Sequence, residues 1–148
     1  MQDIRAKRHV VHALHLHLVF VAKYRREVFS ELMIERLKYH FERVCKDFGC
    51  RLIESGGEKD HIHLLVEPLP HTTPSKLVNS LKGVSSRLLR KEFPQLQKYY
   101  WKGGLWSPSY FIASCGGAAG YCQGIYRKTV NLCLYPLPEV KGFYAQAG

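Results

Sequence analysis

At 148 residues the chain is one domain, 1–148, long enough to bury a core without disulfide or metal staples. Its 46% hydrophobic and 23% charged residues exclude a disordered or fibrous chain, and no apolar run approaches the length of a membrane span. Lys and Arg number 22 against 12 Asp and Glu, a formal charge of +10 that points to a polyanionic partner, most often nucleic acid, the alternative being a solvated basic surface with no partner.

Five cysteines (Cys45, Cys50, Cys115, Cys122, Cys133) are an odd number with no C-x-x-C pair. They read as reduced thiols of a cytoplasmic protein, not as a disulfide framework or a zinc site. The N-terminal "MQDIRAKRHV" is charged and carries no apolar signal core.

In chain order, "VVHALHLHLVFVA" (10–22) alternates as a first strand with His15 and His17 on one face. "KYRREVF" follows as a basic turn. From Phe29 to Phe48, Met33, Leu37, Phe41, Val44 and Phe48 recur at helical spacing, and Gly49 stands where a C-terminal cap belongs. "CRLIESGG" is a second strand ending in a Gly-Gly turn. "HIHLLVE" is the third strand.

After the break "PLPHTTPSK", Thr73 is an N-cap candidate with Pro74 at the first helical position. Leu77, Leu81, Val84 and Leu88 form the buried stripe of this second helix. Lys76, Lys82, Ser85, Ser86, Arg87, Arg90 and Lys91 occupy its other faces. "SYFIASC" (109–115) is the fourth strand.

The order β-α-β-β-α-β predicts an α+β, ferredoxin-like antiparallel sheet with helices on one face. Its first and third strands are central neighbours, so "HLHL" and "HIHL" would lie side by side.

His61 and His63, at i and i+2 on a strand, share a face and can both point at one divalent metal. The alternative is a pair of hydrogen-bonded sheet histidines. Asp60 is a candidate to orient a ring from outside the ligand set, or a turn residue. His17 reads as a supporting residue and not a ligand. Lys23, Tyr24, Arg25 and Arg26 in "KYRR", and Trp106 in "KYYWKGGLW", mix cations with rings, a mixture suited to single-stranded nucleic acid. The second stretch reads equally as a loop packing its own aromatics.

"HLHLVFVAKYRREVF", "DHIHLLVE", "LKGVSSR" and "LWSPSYF", in this order across residues 10–117, resemble the single-tyrosine HUH transposases of small bacterial insertion sequences. The resemblance implies an HUH-type ferredoxin-like domain working as a homodimer on single-stranded DNA hairpins at the element's ends. It implies that His61 and His63 hold Mg2+ or Mn2+, and that a tyrosine attacks the scissile phosphorus to give a 5′-phosphotyrosine and a free 3′-hydroxyl. "KYRR" and the helix carrying Lys82, Ser85, Ser86 and Arg87 would grip the hairpin.

Residues 118–148 depart from that pattern. Tyr126 lies at the expected distance after "GGA", but Val130 stands where the family's glutamine belongs, and Gly120 and Gly124 penalise a helix. Codons permitted for residues 119–130, read one nucleotide on, can spell Pro-Leu-Gly-Ile-Val-Lys-Ala-Tyr-Ile-Glu-Lys-Gln, which contains the expected tyrosine and glutamine on a good helix. A frameshift near Gly116–Ala118 accounts for the tail. Two readings therefore stand, an active transposase using Tyr126 and a hairpin-binding remnant that does not cut. A two-histidine-motif phosphoesterase ranks last, because neither "HLHL" nor "HIHL" carries the serine or threonine that chemistry requires.

Overall fold

A computed structural model describes residues 5–7, 10–12, 14–100 and 104–116. Strands β1 (Arg5–Lys7) and β2 (Val10–His12) form an antiparallel ribbon of their own. The predicted first strand is therefore divided: its amino-terminal part pairs with β1, and β3 (Leu14–Val21) alone enters the main sheet.

Helix α1 (Glu31–Asp47) begins at Ser30, whose hydroxyl accepts from the Met33 N–H at 3.3 Å. It ends as predicted, with Gly49 at φ +69°, a left-handed conformation that glycine adopts without a Cβ clash. Strands β4 (Arg51–Gly57) and β5 (His61–Glu67) follow, then α2 (Pro74–Glu92) and β6 (Phe111–Gly116). Thr73 stands at the α2 cap position, but its side chain makes no capping bond.

The four-stranded sheet has the order β4-β5-β3-β6, every pair antiparallel. β3 and β5 are its central neighbours, as a ferredoxin-like order requires. Alternation then sorts the side chains. Leu18, Phe20, Ile62, Leu64 and Val66 point to the face where Met33, Leu37 and Phe41 of α1 and Leu77, Leu81 and Leu89 of α2 build the core. His15, His17, His61 and His63 occupy the opposite face, because each sits one residue out of phase with the core set.

Two predictions about α2 are corrected. Leu89, not Leu88, is fully buried, and Ser85 and Ser86 lie inside with it. The two helices are also joined at the carboxyl end of α2: Arg36 donates from Nε and Nη2 to Glu92, and His40 Nε2 stands 2.7 Å from Glu92 Oε1.

Candidate metal and nucleic-acid site

The histidine strand begins at a tight β4–β5 connection. Both glycines of "ESGG" belong to β4 and not to a turn: Gly56 pairs with His63 and Gly57 with Ile62. The reason is space. A Cβ on Gly56 would stand 2.7 Å from His63 Nε2, so the imidazole lies across the glycine backbone. A Cβ on Gly57 would meet the His61 carbonyl oxygen at 2.5 Å.

His61 is buried, and its Nδ1 lies 2.8 Å from Asp60 Oδ1. A carboxylate there favours the tautomer with hydrogen on Nδ1, which leaves the Nε2 lone pair available. Burial, then the neighbouring His61 and His17, holds His63 down to about 4, so it is a neutral imidazole. Burial likewise lowers His17, opposed by the Glu54 carboxylate. His17 is buried on the same face, opposite Leu65 on β5.

Glu58, which sequence reasoning missed, joins this end of the strand. The candidate ligand atoms of Glu58, Asp60 and His61 lie within 4.8 Å of one another. The only signal was its position, three residues before His61 across a hairpin. Two carboxylates beside an imidazole are a donor set that suits a hard or borderline divalent ion. An open cleft of about 720 Å³ adjoins them, lined by Arg25, Ser30, Glu31, Glu58 and Asp60 among others.

The basic turn is fastened to the same place. Ala22 N–H donates to the Asp60 carbonyl at 2.8 Å and Phe29 N–H to that of Lys59 at 2.9 Å. Arg25 Nη2 lies 3.7 Å from Asp60 Oδ2. Arg26 Nη1 donates to the Tyr99 carbonyl at 2.8 Å, so the fold brings "KYRR" and the start of "KYYWKGGLW" together although 73 residues separate the two partners.

Four predicted DNA contacts are placed elsewhere or otherwise engaged. Trp106 is buried against Phe20, Phe29 and Phe41, with its indole N–H donated to Ser85 Oγ at 2.9 Å. Ser86 Oγ accepts from the Leu105 N–H at 2.9 Å. These three buried residues therefore hold Leu105 and Trp106 on α2. Lys82 is half-buried, with Nζ donating to the Ser107 and Pro108 carbonyls, and burial lowers its pKa. Arg87 is exposed on α2. Tyr126 lies outside the described residues.

The profile of the family described as "Transposase IS200 like" matches residues 10–123. The chain belongs to this transposase family. It is 33% identical over 110 residues to the ISDra2 transposase TnpA of Deinococcus radiodurans, covering 74% of this chain and 79% of that protein. It is 29% identical over 116 residues to the transposase for insertion sequence element IS200 of Salmonella typhimurium, covering 78% of this chain and 76% of that one.

A crystal structure described as a transposase from Deinococcus radiodurans R1 superposes with a TM-score of 0.71 at 28% identity. It covers 86% of this chain and 96% of that one. The REP-associated tyrosine transposase bound to a REP hairpin shares the fold, with a TM-score of 0.54 at 13% identity over 81% of this chain and 67% of that one. The family, the ferredoxin-like sheet and its assignment to insertion-sequence transposition thus agree with the sequence reading. Among the described residues no helix is long and apolar enough to cross a membrane.

Proposed function

We propose that this transposase is a metal-dependent enzyme of single-stranded DNA that binds hairpins at its element's ends, and cuts and rejoins strands through a 5′-phosphotyrosine on Tyr126. The observation that carries the metal site is the Asp60–His61 hydrogen bond on a strand whose next same-face residue is His63. The donor set fits Mg2+ or Mn2+, with His61 and His63 as ligands and Asp60 orienting the His61 ring. Such an ion, when bound, polarises a phosphate oxygen and draws charge from the phosphorus.

The chain's own residues supply the rest. Lys23, Arg25 and Arg26 draw the phosphate backbone toward the cleft. The Tyr126 hydroxyl gives up its proton as its oxygen attacks phosphorus, a P–O bond forms, and the bond to the 3′ oxygen breaks, that oxygen taking up a proton to leave a free 3′-hydroxyl. Attack of another 3′-hydroxyl reverses the exchange, so no nucleotide cofactor is consumed. A homodimer, in which each tyrosine serves the partner subunit, follows from the family resemblance.

A second reading is favoured by one specific observation. The family match ends at residue 123, short of Tyr126, where the tail departs from the family's pattern. A chain that binds hairpins without cutting them fits that boundary.

The test is cleavage of labelled single-stranded DNA carrying the element's ends, in manganese. Cleavage lost in His61→Ala and His63→Ala supports the first reading. Tight binding with no cleavage supports the second.

A further inference from the structure

Tyr24 has the highest exposure among the large hydrophobic side chains described, at 68%, and its backbone sits at φ 64°, ψ 14°. Arg25 follows at φ 52°. Left-handed backbone in two consecutive non-glycine residues is unfavourable and persists only where surrounding contacts impose it. Here they do. Lys23 N–H donates to the Leu105 carbonyl at 2.9 Å, Arg25 N–H to that of Ala22 at 2.8 Å, and the Tyr100 hydroxyl to that of Lys23 at 3.3 Å.

The consequence of this backbone is a ring thrown outward and flanked by cations. Arg26 Cζ lies 5.2 Å and Lys23 Nζ 5.6 Å from its centroid. Arg26 is held in place by the Tyr99 carbonyl and also faces the Tyr99 and Tyr100 rings at 5.4 and 5.7 Å. A guanidinium fixed in this way presents a flat surface, and fewer of its donors remain for a phosphate.

We infer that Tyr24, backed by Arg26, is a stacking platform for an unpaired nucleobase of single-stranded DNA. This rests on the reading of the chain as a DNA-binding transposase. Paired bases hide their faces within the stack, whereas an unpaired base offers a face to a ring, and the surrounding cations hold the adjoining phosphates. Tyr24 therefore reads strand state, unpaired against paired, beside the cleft that Arg25 shares with Asp60.

The experiment is fluorescence anisotropy of the full chain with a labelled oligothymidylate and with a duplex of equal length, across a salt series. Tyr24→Gly removes the ring at a φ that glycine accepts, so the fold is kept. It is expected to weaken oligothymidylate binding by about 5- to 150-fold with the salt slope unchanged, and to leave duplex binding alone. Tyr24→Phe keeps wild-type affinity. Undiminished binding by Tyr24→Gly, an equal loss in Tyr24→Phe, or a reduced salt slope overturns the platform while leaving the proposed function standing. Failure of the unmodified chain to bind either DNA overturns both.

Discussion

Asp60 Oδ1 and His61 Nδ1 lie 2.8 Å apart, and the same aspartate ties the basic turn to the histidine strand. Asp60 also accepts at its carbonyl from Ala22 N–H and has Arg25 at 3.7 Å from its other carboxylate oxygen. One residue therefore sets the His61 ring and anchors the turn that carries the cations. Asp60→Ala is expected to lower Mn2+ affinity by about 10- to 100-fold, the usual effect of removing a partner behind a ligating histidine. Electron paramagnetic resonance of free Mn2+ reads it directly, and unchanged affinity would count against His61 as a ligand.

Gly56→Ala should act on the same site from the neighbouring strand. The added methyl meets the His63 ring, which has to move. Mn2+ affinity is expected to fall in this variant. Gly57→Ala differs, because its methyl meets backbone at the His61 carbonyl. There the expected outcome is lost stability, seen as a lower urea midpoint.

Trp106 and Ser85 test the reassignment of predicted DNA contacts to the interior. Trp106→Ala should destabilise the fold by about 3–5 kcal/mol, the range for a large buried side chain. Ser85→Ala leaves the buried indole N–H without its acceptor and should cost about 1–3 kcal/mol. Chemical denaturation measures both. Neither folded variant should change the salt slope of DNA binding, since both side chains are buried.

The strands and helices were legible because alternation and helical spacing are strong signals in this chain. His61 and Ile62 point to opposite faces by period alone, and the β3–β5 adjacency follows from element order. What failed was local. Leu88 and Leu89 are neighbours, so a shift of one residue exchanges the buried leucine and carries Ser85 and Ser86 inside. Serines read as surface residues by composition, and only the arrival of Trp106 and Leu105 from a distant segment gives their hydroxyls buried partners. Gly56 and Gly57 looked like a turn because nothing in the sequence shows that an imidazole needs the space above them. Glu58 escaped notice because its approach to His61 depends on the hairpin closing.

The Arg36–Glu92–His40 cluster predicts acid sensitivity. Burial holds His40 below its ordinary 6.5, so the unfolded chain binds the proton more readily, and stability is lost as pH falls below that value. The Arg36 hydrogen bond, its largest cause, lowers Glu92 from 4.5, so its contribution is present above that pH and lost below it. Both act in one direction. Urea midpoints should fall from about pH 7 to pH 5, and His40→Gln should flatten this slope. It should not abolish it, because His17 and His63, also held down by burial, act on the same side.

The most direct test of the central claim is a denaturing gel of the purified chain after incubation with Mn2+ and labelled single-stranded DNA carrying the element's end hairpins. A protein–DNA band that survives denaturation and vanishes in Tyr126→Phe is the predicted result. Hairpin DNA that is bound yet never joined to protein would contradict it, and would leave this chain a transposase relative that holds its DNA without cutting it.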